Sequence, residues 1–248
     1  MGQKPWEDRG PSYGDWAHST CTAGKAVGQN YGASKKAKLI VVQLNDIDST
    51  DFIDALELIA QDVKSKPERR KKSVVTMSWG LPRLEPTQLQ VLDMQIAIND
   101  LFEVDVPLFA ASGNDAPTKG RIDAYPGLFA SPEFPLITVG SADFDGKRSS
   151  FSQAGPQLTT YAVGNDITCV STSGSNPIPE LWGTSYAAPL VAGNVANLLS
   201  YDTVPFDTSD GNLVKSLRDY LPSNQGSWER PGGVKMIWSI SNSYPFRV

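Results

Sequence analysis

Three side chains in this 248-residue sequence carry the functional groups that acyl-transfer chemistry uses: a serine hydroxyl, an imidazole and a carboxamide. Ser185 sits in Gly183-Thr184-Ser185-Tyr186-Ala187-Ala188-Pro189-Leu190-Val191-Ala192-Gly193, entered through glycine and followed by small residues. At the mouth of a helix such a serine can stay exposed while its own backbone N–H points at a developing oxyanion. An isolated Gly-Thr-Ser, by contrast, reads by default as a helix N-cap. His18 is the sole histidine of the chain. A lone histidine is more often structural or solvated, but a serine hydrolase needs a neutral imidazole base, and this is the one the sequence offers. Asn114 lies in Phe109-Ala110-Ala111-Ser112-Gly113-Asn114-Asp115, where an apolar run ends. Asparagine after glycine at a strand end is by default a turn residue.

The elements that must position these groups alternate along the chain. Residues 38–44 (KLIVVQL) are β-branched and almost continuously apolar, as a strand buried on both faces is. Residues 51–63 place Phe52, Ile53, Leu56, Ile59 and Ala60 at helical spacing, with Ser49, Thr50 or Asp51 as the candidate N-cap. Residues 73–79 then read as a strand, 87–102 as a helix and 106–111 as the next strand. Further strands are expected over 136–140 and 167–170, and an Ala-rich buried helix over 186–201. This alternation predicts an α/β fold with a mainly parallel central sheet and helices on both faces, organised as one domain over residues 1–248. Ligand sites in such sheets gather at the carboxyl ends of strands.

Composition sets the partners. A net charge of −5 gives no reason to expect nucleic acid, because phosphate binding needs concentrated Lys and Arg. The one basic run, Lys64-Ser65-Lys66-Pro67-Glu68-Arg69-Arg70-Lys71-Lys72, falls where a connecting loop belongs and reads as a solvated loop, with a localisation or docking signal as the alternative. No stretch reaches the roughly 18 consecutive apolar residues of a membrane span, so no membrane partner is expected. The first twenty residues hold charges, Gly and Pro with no apolar segment of the secretory type. Cys21 and Cys169 are too few for a disulfide framework and far apart, and two free thiols are the expectation, with a single bridge as the alternative.

The eleven-residue string around Ser185 resembles the nucleophile motif of the subtilisin-like serine proteases, the subtilases, and other segments match that family in the same order over nearly the whole chain. His18-Ser19-Thr20-Cys21-Thr22-Ala23-Gly24 is similar to the family's histidine motif, and Tyr31-Gly32-Ala33-Ser34-Lys35-Lys36-Ala37-Lys38-Leu39 to the stretch that follows it. The resemblance implies a three-layer subtilisin-like fold, Ser185 as nucleophile, His18 as base and Asn114 as oxyanion donor together with the Ser185 N–H. It also implies that Ser78-Trp79-Gly80 pairs with an extended polypeptide substrate as an added strand, leaving alternate side chains to pockets. Ala111, Ser112, Gly113 and Ala124 then wall the primary pocket, and Tyr125-Pro126-Gly127 matches a turn whose proline is commonly cis. Small walls imply large apolar substrate side chains, with Asp115 near the rim leaving a basic one open. Val139-Gly140-Ser141-Ala142 and Phe151-Ser152-Gln153-Ala154-Gly155-Pro156 resemble scaffold segments. Cys21, one turn after His18, is expected to be a buried inert thiol, the alternative being a mercurial-sensitive site.

The chain departs from the family where the triad aspartate belongs. Subtilases carry it at a strand end several dozen residues before the histidine, yet only 17 residues precede His18, and neither Asp8 nor Asp15 follows an apolar strand. The expectation is an N-terminally truncated peptidase domain, completed by an N-terminal segment or propeptide, whose missing strand belongs between residues 38–44 and 73–79 and leaves both with unpaired edges. The orienting aspartate is worth about 10⁴ in turnover in the general serine-protease scheme. The first functional expectation is therefore a serine endopeptidase whose activity as this chain alone is open; the alternative is a pseudoprotease that binds peptides. An esterase or acyl transferase ranks lower, because it would leave the extended-peptide segment without a purpose. No cofactor is required; some relatives bind structural calcium, but Asp46 and Asp48 alone make no calcium loop. The family's habit implies a secreted or vacuolar location.

Overall fold

The structure, a computed structural model, describes residues 14–44, 48–170 and 178–237. In chain order it runs α1 (Gly14–Val27), α2 (Ser49–Lys64), a 3-10 turn (Pro67–Arg69), β1 (Val75–Met77), β2 (Leu81–Pro82), α3 (Gln88–Phe102), β3 (Leu108–Ala111) and α4 (Ala116–Lys119). It continues through β4 (Ala124–Tyr125), a 3-10 turn (Gly127–Phe129), β5 (Ile137–Ala142), β6 (Thr160–Val163), β7 (Ile167–Cys169), β8 (Ile178–Leu181), α5 (Thr184–Leu198), α6 (Leu213–Tyr220), β9 (Ser227–Trp228) and β10 (Met236–Ile237). The central sheet has the order β1-β3-β5-β6-β10-β9 and is parallel except for β9, which is antiparallel to β10. This is the α/β architecture that the alternation of apolar runs predicts.

Helix boundaries follow from satisfied end groups. The N-cap of α2 is Asp48, one residue before the expected candidates, because its carboxylate is the acceptor that the Asp51 N–H reaches, at 2.9 Å. Thr87 and Gln90 close a reciprocal capping box at the start of α3. Helix α5 lies against β1, β3, β5 and β6, and α1 packs on α5. That crossing is close: a Cβ on Gly193 would sit 2.5 Å from the backbone oxygen of Ala26. The main core joins side chains of α2, α3, α5, α6 and the sheet, with Phe52, Leu56, Met94, Ile98, Phe109 and Leu217 among its largest buried members.

Two expectations are corrected. Residues 38–44 form no strand, and Leu39, Ile40 and Val41 are 45%, 56% and 73% exposed. Strand propensity needs a partner backbone to become a strand, and among the described residues nothing lies in the sheet beyond β1, its edge. The expected strand over 167–170 exists as β7, but it pairs with β8 in a separate hairpin. The second correction concerns the thiols: Cys21 and Cys169 form a disulfide, their Cα atoms 5.2 Å apart across a sequence separation of 148. Separation along the chain says nothing about proximity once α1 and β7 pack together. The basic run is a surface segment paired with carboxylates: Lys64 with Asp100, Lys66 and Arg69 with Asp62, Lys71 with Asp210.

Helix α1 also buries Lys25, whose ammonium lies 5.5 Å from the centroid of the Tyr31 ring. Burial lowers its pKa from the ordinary 10.5 to about 8. The folded protein therefore releases this proton before the unfolded chain does, so the Lys25 contribution destabilises at and below pH 8 and is relieved as pH rises from about 8 to 10.5. Lys25→Met should stabilise the protein at pH 7 by about 1–3 kcal/mol and flatten this rise. Urea denaturation of both proteins from pH 7 to 10 measures it; parallel pH profiles would refute the assignment.

Candidate active site

The mouth of α5 is capped from another part of the chain. Gly183, its N-cap residue, brings no side chain, and its N–H donates to the Gly164 carbonyl at 2.8 Å. The N–H of Thr184, one of the orphan donors at a helix start, goes to Asn114 Oδ1 at 2.9 Å, and the Thr184 hydroxyl donates to the same oxygen at 3.0 Å. The Gly113 N–H donates in turn to Thr184 Oγ1 at 3.1 Å. Two hydrogen bonds into one carbonyl oxygen orient the Asn114 carboxamide, so that its NH₂ points away from Thr184. Asn114 is thus joined to the turn that bears Ser185 just past the carboxyl end of β3, where open α/β sheets place their ligand sites.

Ser185 is the second residue of α5 and 6% exposed. Its carbonyl loses the donor it would ordinarily find four residues on, because Pro189 has no N–H. The Ser78 hydroxyl supplies the replacement at 2.7 Å. Ser78, expected to bind substrate, therefore has its side chain engaged in holding the turn that bears Ser185, while its backbone continues into Gly80. His18 is half-buried on α1, with its ring 5.6 Å from that of Tyr186, the neighbour of Ser185. One turn along α1, Cys21 joins Ile167, Cys169, Leu181 and Tyr186 in a second small core.

The expected substrate segments converge on the same end of the sheet. Trp79 stacks on Phe52, ring centroids 3.6 Å apart, which anchors the segment after β1 on α2. A Cβ on Gly80 would stand 3.2 Å from Ala124 Cβ, and beyond it β2 pairs with β4. Ala111, the last residue of β3, and Gly113 beyond it are half-buried, whereas the Ser112 hydroxyl is buried and donates to the Gln153 carbonyl at 2.9 Å. The Tyr125–Pro126 bond is cis, as the resemblance implies.

Gln153, read from sequence as scaffold, braces the asparagine loop on both sides. Its N–H donates to the Gly113 carbonyl at 2.9 Å, and its Oε1 accepts from the Asp115 N–H at 3.4 Å. Its side-chain amide donates to the Arg121 carbonyl and, at 2.9 Å, to Asp123. Gly113 has φ +102, and a Cβ there would collide with Gln153 Oε1, so glycine is required twice over. Lys119 reaches Asp123 at 2.8 Å and Asp115 at 3.3 Å; its hydrogen bond to Asp123 first, then their charges, hold the ammonium above its ordinary pKa. No sequence signal shows these braces, since each joins residues about 30 to 40 apart that only the fold brings together. Asp8, Asp46 and the side chain of Asp15 lie outside the described residues. Among the described residues no group of three or more His, Cys, Asp or Glu is arranged to hold a metal ion. No described helix is long and apolar enough to cross a membrane.

The link between Pro189 and Ser78 is testable. Ser78→Ala removes this hydrogen bond to the Ser185 carbonyl and should cost about 1 kcal/mol. In a Pro189→Ala background, where the helix regains its own N–H donor, the same change should cost measurably less. Denaturation of the four proteins measures the coupling; equal costs in both backgrounds would show the two sites to be independent.

Comparison with known proteins bears on the family and the fold. The chain is 32% identical over 194 residues to a subtilisin-like protease of Coccidioides posadasii (strain C735), covering 77% of this chain and 44% of that protein. It is 29% identical over 221 residues to subtilisin-like protease 2 of Arthroderma otae (strain ATCC MYA-4605 / CBS 113480), covering 84% and 49%. The chain thus spans about half the length of the curated relatives it matches. Among solved structures, a cold adapted subtilisin-like serine proteinase superposes with a TM-score of 0.68 at 24% identity, over 91% of this chain and 75% of that one. The prenylagaramide maturation protease PagA does so with a TM-score of 0.56 at 25% identity, over 76% and 66%. With residues 3–221 matching the Peptidase_S8 profile, described as the subtilase family, the chain belongs to the subtilases.

Proposed function

We propose that this chain carries the nucleophile, base and oxyanion donors of a serine endopeptidase. Ser185 attacks the scissile carbonyl, His18 takes the hydroxyl proton and returns it to the leaving amine, and the Asn114 NH₂ with the Ser185 N–H holds the tetrahedral oxyanion. A carboxylate from outside the described residues orients His18. The observation that carries this reading is the capping of α5 by Asn114, which brings an oriented carboxamide to the turn that bears Ser185.

Substrate main chain pairs with residues 78–80, and the side chain before the scissile bond enters between Ala111–Gly113 and Ala124. Lys119 is ion-paired with both Asp115 and Asp123, which weakens their pull on a basic side chain and favours a large apolar one. No cofactor takes part. The edge that β1 forms among the described residues and the exposed Leu39, Ile40 and Val41 support completion of the sheet by a further strand, from an N-terminal segment or propeptide, that brings the orienting carboxylate. The disulfide supports a secreted or otherwise oxidising location.

Labelling with a fluorophosphonate, using Ser185→Ala as control, tests the assignment. Ser185-dependent labelling is the expected result, slowed roughly 10²- to 10³-fold in Asn114→Ala if the carboxamide stabilises the oxyanion. Absence of labelling in a protein shown to be folded would overturn the claim that this chain alone is an enzyme and would favour the peptide-binding reading.

A further inference from the structure

We propose that the Cys21–Cys169 disulfide positions the catalytic base: it clamps the histidine end of α1 against the β7–β8 hairpin, and its reduction releases His18 from Ser185 while the rest of the fold persists. The proposal rests on the assignment of His18 and Ser185 above.

The two ends of α1 are held by different means. Its C-terminal end is fixed to α5 by close backbone packing of Ala26 on Gly193 and by two hydrogen bonds just beyond it. There Asn197 Nδ2 donates to the Ala33 carbonyl at 2.8 Å, and the Ser34 hydroxyl donates to Asn197 Oδ1 at 2.7 Å. None of these contacts involves the disulfide. At the other end, His18 meets the Tyr186 ring at 5.6 Å, and Cys21, one turn on, is cross-linked to Cys169. The bridged sulfurs lie in a small apolar cluster with Ile167, Leu181 and Tyr186, and Tyr186 follows Ser185 directly. Besides the direct contact of His18 with the Tyr186 ring, a second path links base to nucleophile through the cross-link: His18, Cys21, Cys169, the hairpin side chains, Tyr186 and Ser185.

This cluster is small and separate from the main core. Opening the bridge leaves α5 on the sheet and the C-terminal end of α1 on α5, but removes the covalent tie nearest the imidazole. A misplacement of about 1 Å is enough to cost roughly 10²-fold in a reaction that depends on alignment. The chemistry is ordinary thiol–disulfide exchange. A dithiol reductant supplies two electrons and two protons, the S–S bond breaks to give the Cys21 and Cys169 thiols, and the reductant leaves as its own disulfide. The competing account is that the bridge acts only on the unfolded chain, as a staple over a long loop.

Because His18 is the sole histidine, a preparation without an affinity tag gives one imidazole Hε1 resonance. The test compares the oxidised protein, the protein reduced with dithiothreitol and Cys169→Ala. For each, the His18 resonance, the Val191 and Val195 methyl resonances of α5 and the rate of fluorophosphonate labelling are measured. The expected result is a His18 signal that moves to the position of a free imidazole, unchanged α5 methyl signals and labelling at least tenfold slower when the bridge is open. A His18 signal that does not respond would overturn the proposal. So would an unchanged labelling rate alongside a shifted His18 signal, or simultaneous loss of the α5 signals, which would make the bridge a staple for the whole fold. If the oxidised protein is not labelled at all, the enzymatic reading fails, and the His18 resonance still decides whether the disulfide holds the histidine in place.

Discussion

The structure depends on how the first turn of α5 is satisfied. A helix start leaves N–H groups without partners, and here the N-cap residue is a glycine with no side chain to offer. The acceptor comes instead from Asn114, at the end of a strand 70 residues earlier in sequence. That exchange joins two elements and orients a carboxamide with the same hydrogen bonds. It also explains the surroundings: Thr184 supplies a hydroxyl to both Asn114 and Gly113, and Gln153 braces the loop from behind. A side chain at Gly113 would break the arrangement through both its positive φ and its contact with Gln153.

A second constraint follows from Pro189. Proline inside a helix forfeits one backbone hydrogen bond, which leaves the Ser185 carbonyl in need of a donor. Ser78 provides it from the end of β1. Strand β1, strand β3 and helix α5 are therefore coupled at one end of the sheet through bonds to Ser185, Thr184 and Asn114. Helix α1 is added from outside, close to α5 at Gly193 and cross-linked near His18. The sheet ends at β1 among the described residues, and the apolar residues 39–41 are exposed, a state that buried apolar strands do not ordinarily adopt.

Much of this was legible in the sequence, for identifiable reasons. Helices α2 and α3 declared themselves through apolar periodicity, and β1, β3 and β5 through apolar runs, since period and burial are properties of contiguous residues. The string around Ser185 is likewise contiguous, so the nucleophile candidate, and with it the family, could be read without coordinates. The solitary histidine became the candidate base because the sequence offers no other imidazole.

What only the tertiary structure decided are relations between distant residues. The segment 38–44 has the composition of a strand, but a strand is a pairing between backbones, and no described partner lies beside it. Cys21 and Cys169 looked like unrelated thiols because their separation of 148 residues is uninformative until α1 meets β7. Gln153 looked like scaffold, and the hydroxyl of Ser78 looked like part of a groove. Composition and period are local and additive along a chain, and they fix which elements form. Hydrogen bonds and cross-links between elements depend on where packing brings the elements together, and that is settled only when the whole core closes.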